Sequence, residues 1–243
     1  MVLQIPPQQG NPQQLDVIYP DSDGKPMAEN TEQFRWIVVV KENLEYLYAN
    51  DAQVFVAGDL LWYPVQGNNQ ICTAPDAMVA IGRPKGRRGS YKQWEEENIA
   101  PQVVFEILSP GNTKAEMNRK LLFYDRYGVE EYYLYDPDTN TLNGWLRQEG
   151  FLDVIEEMNN WVSPRLQIRF DLTGSELLIR YPDGKPFLSY VQIAQEAEQE
   201  RQRAEAAEAA MQAAIPKLLN MGLTPAQVAE ALGVAVEVVE QMH

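Results

Sequence analysis

From Gln102 to Leu108 the chain is a continuous apolar run broken by one acid, Glu106, and it stops abruptly at Ser109-Pro110-Gly111. A short run without alternation, bounded by turn residues, predicts a strand buried on both faces and therefore central in a sheet. A cap at Asn112 or Thr113 then opens a helix to Tyr127, which Gly128 closes, and a further strand runs from Glu131 to Tyr135 before Asp136-Pro137. Strand, helix, strand in that order predicts an α/β body with a mixed β-sheet core flanked by helices.

The rest of the chain is read around that unit. Residues 1–30 carry Pro6, Pro7, Pro12, Pro20 and Pro26 among Gln, Asn and Asp, which predicts an extended arm. Thr31 to Tyr48 has a helical apolar face, and Gln53–Val56, Leu60–Tyr63 and Ala77–Ile81 read as strands separated by turns. Ser90 before acidic residues predicts a second helix over Tyr91–Asn98. Two or three further strands are expected between Leu142 and Ile179, so the main domain covers 31–188. From 189 to 243 the composition turns to Ala, Glu, Gln and Arg, predicting a C-terminal helical extension: a long exposed helix kinked or restarted by Pro216, then a helix from Thr224 to Leu232 closed by Gly233, then one from Val236 to Met242. Ile193, Ala197, Ala204, Ala207, Met211, Ala214 and Leu218 fall on a 4-3 spacing, the seam of a homodimer.

Composition removes several chemistries. The single histidine is His243, so serine or cysteine triads and Cys/His zinc sites have no internal histidine to use. Cys72 has no partner for an internal disulfide and reads as a small buried hydrophobe, in keeping with a cytoplasmic protein. The longest apolar run, Trp36 to Val40, is far short of the roughly 20 residues that span a bilayer, and Met1–Asp16 lacks the basic start and apolar stretch of a signal peptide, so no membrane association is expected. A formal charge of −15 opposes a nucleic-acid partner, yet Arg83, Lys85, Arg87, Arg88 and Lys92 form one basic cluster and Lys114, Arg119, Lys120 and Arg126 another.

Carboxylates, lysine or tyrosine must therefore carry any catalysis. Asp76 follows Pro75 at the mouth of a strand, and Glu106 is a charge that burial would penalise by several kcal/mol unless a metal ion or a basic group sits beside it. Oxygen-only ligation suits magnesium, with manganese as the alternative ion. On the following helix Glu116, Lys120 and Tyr124 form one stripe at i, i+4 and i+8, so Lys120 either points toward Glu106 or makes a surface pair with Glu116.

The motifs Ala74-Pro75-Asp76-Ala77-Met78-Val79, then Val103 to Pro110, then Lys120, Tyr124, Gly128-Val129, Glu131-Tyr132 and Asp136-Pro137 resemble the Uma family of putative restriction endonucleases, within the PD-(D/E)XK nuclease superfamily. The resemblance covers about residues 20–147 and implies a restriction-endonuclease-like fold and metal-dependent hydrolysis of DNA. It implies Asp76 and Glu106 as metal ligands together with the Ile107 carbonyl, and Lys120 as the catalytic lysine, since Leu108 stands where the E-x-K lysine would be. It also implies an acid from the first helix, either Glu29 or Glu32, with Tyr124 as a further candidate. Arg87, Arg88, Lys92 and Lys114 are the candidates for DNA phosphates. The competing readings are a catalytically silent scaffold that acts through its C-terminal helices, and a helix-turn-helix reader at 224–242, which lacks the basic residues such a role needs.

Overall fold

The computed structural model describes residues 17–24 and 26–241, so most of the expected N-terminal arm, Lys25 and His243 lie outside the described residues. The chain divides after Phe187 into two compact units.

The first unit is built on a six-stranded sheet in the order β1-β3-β5-β6-β7-β8. Its members are β1 (Val54–Ala57), β3 (Ala77–Ile81), β5 (Val103–Ile107), β6 (Glu131–Asp136), β7 (Thr141–Gln148) and β8 (Phe151–Val154). Every residue of β5 is buried, as the unalternating run predicts. Strand β5 pairs antiparallel with β3 and parallel with β6, and the parallel crossover is α2 (Lys114–Tyr127). Thr113 caps α2 through Glu116 N, and Gly128, at φ 94°, closes it in the left-handed region.

Each face of the sheet carries its own apolar layer. On one face α1 (Thr31–Leu47) brings Trp36, Ile37, Val40 and Leu44 against Val103, Phe105, Tyr133 and Tyr135, with Phe170 and Ile179 from the hairpin β9 (Arg169–Asp171) and β10 (Leu178–Arg180). On the other, Tyr124 of α2 packs with Met78, Val104, Tyr132 and Leu134, and with Trp62 and Tyr91 from the short parallel pair β2 (Trp62–Tyr63) and β4 (Tyr91–Lys92).

Three local expectations need correction. Tyr91–Asn98 is β4 followed by one 3-10 turn, Gln93–Glu95, not a helix. Tyr91 is fully buried, its amide donates to Leu61 O at 2.7 Å, and Glu97 and Asn98 adopt positive φ, which a helix cannot continue. Ser90 Oγ makes no capping bond and has no hydrogen-bond partner at all among the described residues. Four strands rather than two or three follow Asp136, because the segment after β8 returns as its own hairpin. Cys72 is half-buried, not buried.

A second buried carboxylate ties that returning segment to the sheet. Glu131, fully buried on β6, accepts from Ser163 Oγ, from Tyr133 OH at 2.8 Å and from Arg165 N at 2.6 Å. Burial pushes its carboxyl up despite these donors, so this is a structural acid that holds residues 163–166 in place.

The second unit comprises α3 (Tyr190–Asn220), α4 (Pro225–Leu232) and α5 (Val236–Glu240), with Ile215, Val228, Ala229 and Val239 as its core. Ser189 with Gln192, and Thr224 with Gln227, form capping boxes at the starts of α3 and α4, and Gly233 closes α4. Helix α3 runs through Pro216 without restarting, because Ile215, Leu218 and Leu219 around it pack in that core and offset the lost backbone bond. No helix among the described residues is long and apolar enough to cross a membrane.

Candidate active site

The pairing of β3 with β5 decides where the two sequence-picked acids lie. Ala77 is the Cα partner of Phe105 and Met78 of Val104, so the antiparallel register continued by one residue sets Asp76 opposite Glu106. Met78, Val104 and Tyr124 pack together, which puts both acids on the face covered by α2. They occupy the carboxyl-terminal end of β5, with Glu106 2% and Asp76 8% exposed.

Both oxygens of Glu106 are engaged from α2. Lys120 Nζ donates to Oε2 at 2.7 Å, and Tyr124 OH donates to Oε1 in a short hydrogen bond. The Glu116–Lys120 surface pair is therefore not the lysine's main contact, and the stripe at i and i+4 aims both donors at one carboxylate. Asp76 Oδ2 accepts from Ile107 N at 2.6 Å. Burial, and after it the Glu106 carboxylate, pushes Asp76 well above the usual carboxylate range against the pull of Lys120. Lys120 is desolvated as well, but the charges of Glu106 and Asp76 outweigh this and raise it, so it stays an ammonium.

Further contacts come from the region around α1. Gln33 Nε2 donates to Ile107 O at 3.0 Å while its Oε1 accepts from Glu29 N at 2.8 Å. Ile107 is thus held at its N–H by Asp76 and at its carbonyl by Gln33 of α1. The Glu29 carboxylate accepts from Ser109 Oγ at 2.5 Å and lies against Gly111, where an added Cβ would meet it at 2.0 Å. Glu32 is turned elsewhere, pairing with Arg35 at 2.7 Å. Of the two acids expected from the first helix, Glu29, which stands just before the α1 cap Asn30, is the one beside the loop that follows β5.

Sequence reasoning did not find three other residues here. Gln33 is a polar residue on the apolar stripe of α1, and that misplacement is the signal that could have exposed it. Asp59, at φ 48°, donates its amide to Pro75 O at 3.0 Å, and its carboxyl is raised by burial and by the acids around it, Glu106 among them. Tyr132 is fully buried and its hydroxyl has no hydrogen-bond partner among the described residues, although it feels the charges of Glu106 and Asp76.

The basic candidates separate into two kinds. Arg88 is folded into the body: Nε donates to Glu96 Oε1 at 2.6 Å, and the guanidinium stacks over Phe55 at 3.9 Å. Arg83 shares Glu96 at 3.0 Å, Lys85 meets Glu45 at 3.5 Å, and Lys92 meets Glu95 at 3.4 Å. Arg87 and Lys114 are exposed.

No group of three His, Cys, Asp or Glu side chains converges on a metal position among the described residues. The donor set still fits a hard divalent ion of the magnesium type, which takes one or two carboxylates, a carbonyl and waters. Asp76, Glu106 and the Ile107 carbonyl would supply the first three, and the Tyr132 hydroxyl, without a partner among the described residues, would be a donor left over for a water.

Two buried acids and a lysine thus gather at the carboxyl end of the central strand β5 of an α/β protein. The chain belongs to the Uma2 family, described as putative restriction endonuclease, whose model matches residues 24–174. No curated protein matches the chain. A crystal structure titled as a putative nuclease belonging to DUF820 from Anabaena variabilis is similar at 19% identity, covering 58% of this chain and 74% of that one with a TM-score of 0.43.

Proposed function

We propose that this protein is a magnesium-dependent endodeoxyribonuclease of the PD-(D/E)XK type, hydrolysing DNA phosphodiester bonds at Asp76, Glu106 and Lys120. The observation that carries the reading is the meeting of these three side chains at one strand end, with Lys120 Nζ 2.7 Å from Glu106. Asp76, Glu106 and the Ile107 carbonyl would hold the ion. When bound, a divalent ion polarises the phosphate and lowers the pKa of the attacking water. Tyr124 and Gln33 fix the directions of the Glu106 carboxylate and the Ile107 carbonyl. Lys120, as an ammonium, neutralises charge that develops on the phosphate. Glu29 is the first-helix acid best situated to orient water. The test is Mg²⁺-dependent cleavage of plasmid and single-stranded DNA beside an Asp76→Ala control; equal nicking by both proteins overturns the reading.

The substrate must be reached across an acidic protein of net charge −15. Arg87 and Lys114 are the phosphate contacts in this reading, because Arg88 is spent on Glu96 and Phe55. Double charge reversal at Arg87 and Lys114 is expected to weaken DNA binding about tenfold or more for all sequences alike, and to flatten the salt dependence by about two phosphate contacts. Binding titrations at several salt concentrations measure this, and an unchanged slope removes both residues from the interface.

The 4-3 seam of α3 makes the protein a homodimer in this reading, two sites serving two strands. Ile193 is half-exposed on that seam. Truncation after Leu188 is expected to shift the mass seen by light scattering from dimer to monomer; an unchanged mass removes α3 from the interface.

A further inference from the structure

Each oxygen of Glu106 has a different kind of donor. The Tyr124 ring is fully buried, lies parallel to Trp62 with centroids 6.4 Å apart, and leans on Tyr132 at 5.0 Å. Its hydroxyl donates to Oε1 from within that packed ring cluster. Lys120 is the opposite case: its side chain keeps 21% of its surface exposed and its ammonium rides on a flexible four-carbon stem. Oε2 is the oxygen of Glu106 that can change partner. Among the described residues Asp76 has no cation within hydrogen-bond distance, and its hydrogen bond is the one from the Ile107 amide.

We propose that Lys120 is a built-in counter-ion that competes with the divalent ion for Glu106 Oε2, leaving that oxygen when the ion enters. This rests on the nuclease reading given above and adds that the lysine opposes the first step, ion entry, that its later charge-neutralising role requires. A divalent ion and an ammonium at contact distance on one carboxylate oxygen repel each other, so ion entry at Oε2 pushes Lys120 off its 2.7 Å bond to Glu106. The displaced ammonium moves toward the open side of the site, where a substrate phosphate would stand. A residue occupied in this way lowers the apparent affinity of its competitor by the fraction of molecules in which the bond is broken. If that fraction is one in ten, the effect is about tenfold.

The two roles of the lysine give opposite signs in binding and catalysis. Lys120→Gln is expected to bind Mn²⁺ about tenfold more tightly than wild type in the absence of DNA, read by electron paramagnetic resonance titration, while cutting DNA more slowly. Its thermal stability without metal should fall, because two acids lose their cation, and Mn²⁺ should raise its melting temperature by more than it raises that of wild type. Wild type that binds Mn²⁺ while Lys120→Gln binds equally or more weakly overturns the competition and leaves the nuclease reading standing. Wild type that binds no Mn²⁺ takes both down. Should Lys120→Gln fail to fold, a crystal structure of Mn²⁺-loaded wild type decides: Nζ out of hydrogen-bond reach of Oε2 supports the competition, and Nζ still bonded to it with the ion in place overturns it.

Discussion

Asp76→Asn and Glu106→Gln proteins are each expected to lose metal-dependent cleavage by roughly a thousandfold, on the order of 4 kcal/mol of transition-state stabilisation. Their stabilities separate them. Asp76→Asn removes an anion that burial and Glu106 both oppose, and the amide oxygen can still accept from Ile107 N. Without metal it should be as stable as wild type or slightly more so. Glu106→Gln is different, because its carboxylate is the counter-charge of Lys120 and the acceptor for Tyr124. It should cost roughly 3 kcal/mol in metal-free denaturant melts, the scale of a broken buried pair. Plasmid cleavage and melts with and without Mg²⁺ give both numbers. Normal cleavage by either variant sinks the acid-pair assignment, and a large metal-free loss in Asp76→Asn would make Asp76 a structural anion.

Glu96→Ala is expected to cost roughly 3–5 kcal/mol, the largest single effect on folding away from the site. Its carboxylate pairs with Arg83 at 3.0 Å and Arg88 at 2.6 Å, and both guanidiniums are largely buried, so its loss strands Arg88 and leaves Arg83 only the exposed Glu97. The same pairing sets the pH dependence. Burial raises the Glu96 carboxyl, but the hydrogen bonds and charges of Arg88 and Arg83 together outweigh it and hold the group below its ordinary value. A lowered folded pKa contributes stability that is complete above the ordinary glutamate value of about 4.3 and is lost as pH falls through the folded value. The gap between wild type and Glu96→Ala should therefore be full at neutral pH and shrink below about pH 4. A cost under about 1 kcal/mol at pH 7 would mean that the arginines find other partners or water.

What could be read from the sequence follows from how local each signal is. The β5-α2-β6 unit was legible because period, caps and turn residues all lie within it. Glu106 announced itself as a lone charge in an apolar run. Tyr91–Asn98 misled because Ser90 before a set of acids imitates a helix start, whereas the strand there is imposed by burial of Tyr91 against Phe55, stacked at 6.0 Å. In the basic stretch 83–92 a count of lysines and arginines does not reveal that Glu45, Glu95, Glu96 and Glu97 are folded onto Arg83, Lys85 and Lys92. Asp59 and Tyr132 carry no local mark, since only tertiary folding brings them near Glu106.

The antiparallel pairing of β3 with β5 also separates two kinds of evolutionary freedom. Val79 stands opposite Val103, so the connection from Gly82 to Gln102 leaves and rejoins the sheet at the end away from Asp76 and Glu106. Two strands of this length hold that connection roughly 13 Å from the acids. Insertions in that connection that leave Arg87, Arg88 and Glu96 in place can accumulate there at the small entropic cost of a longer loop, about 0.6 kcal/mol for each doubling. The spacing between the two acids along the chain can thus drift among descendants of this sequence while their spacing across the sheet stays fixed.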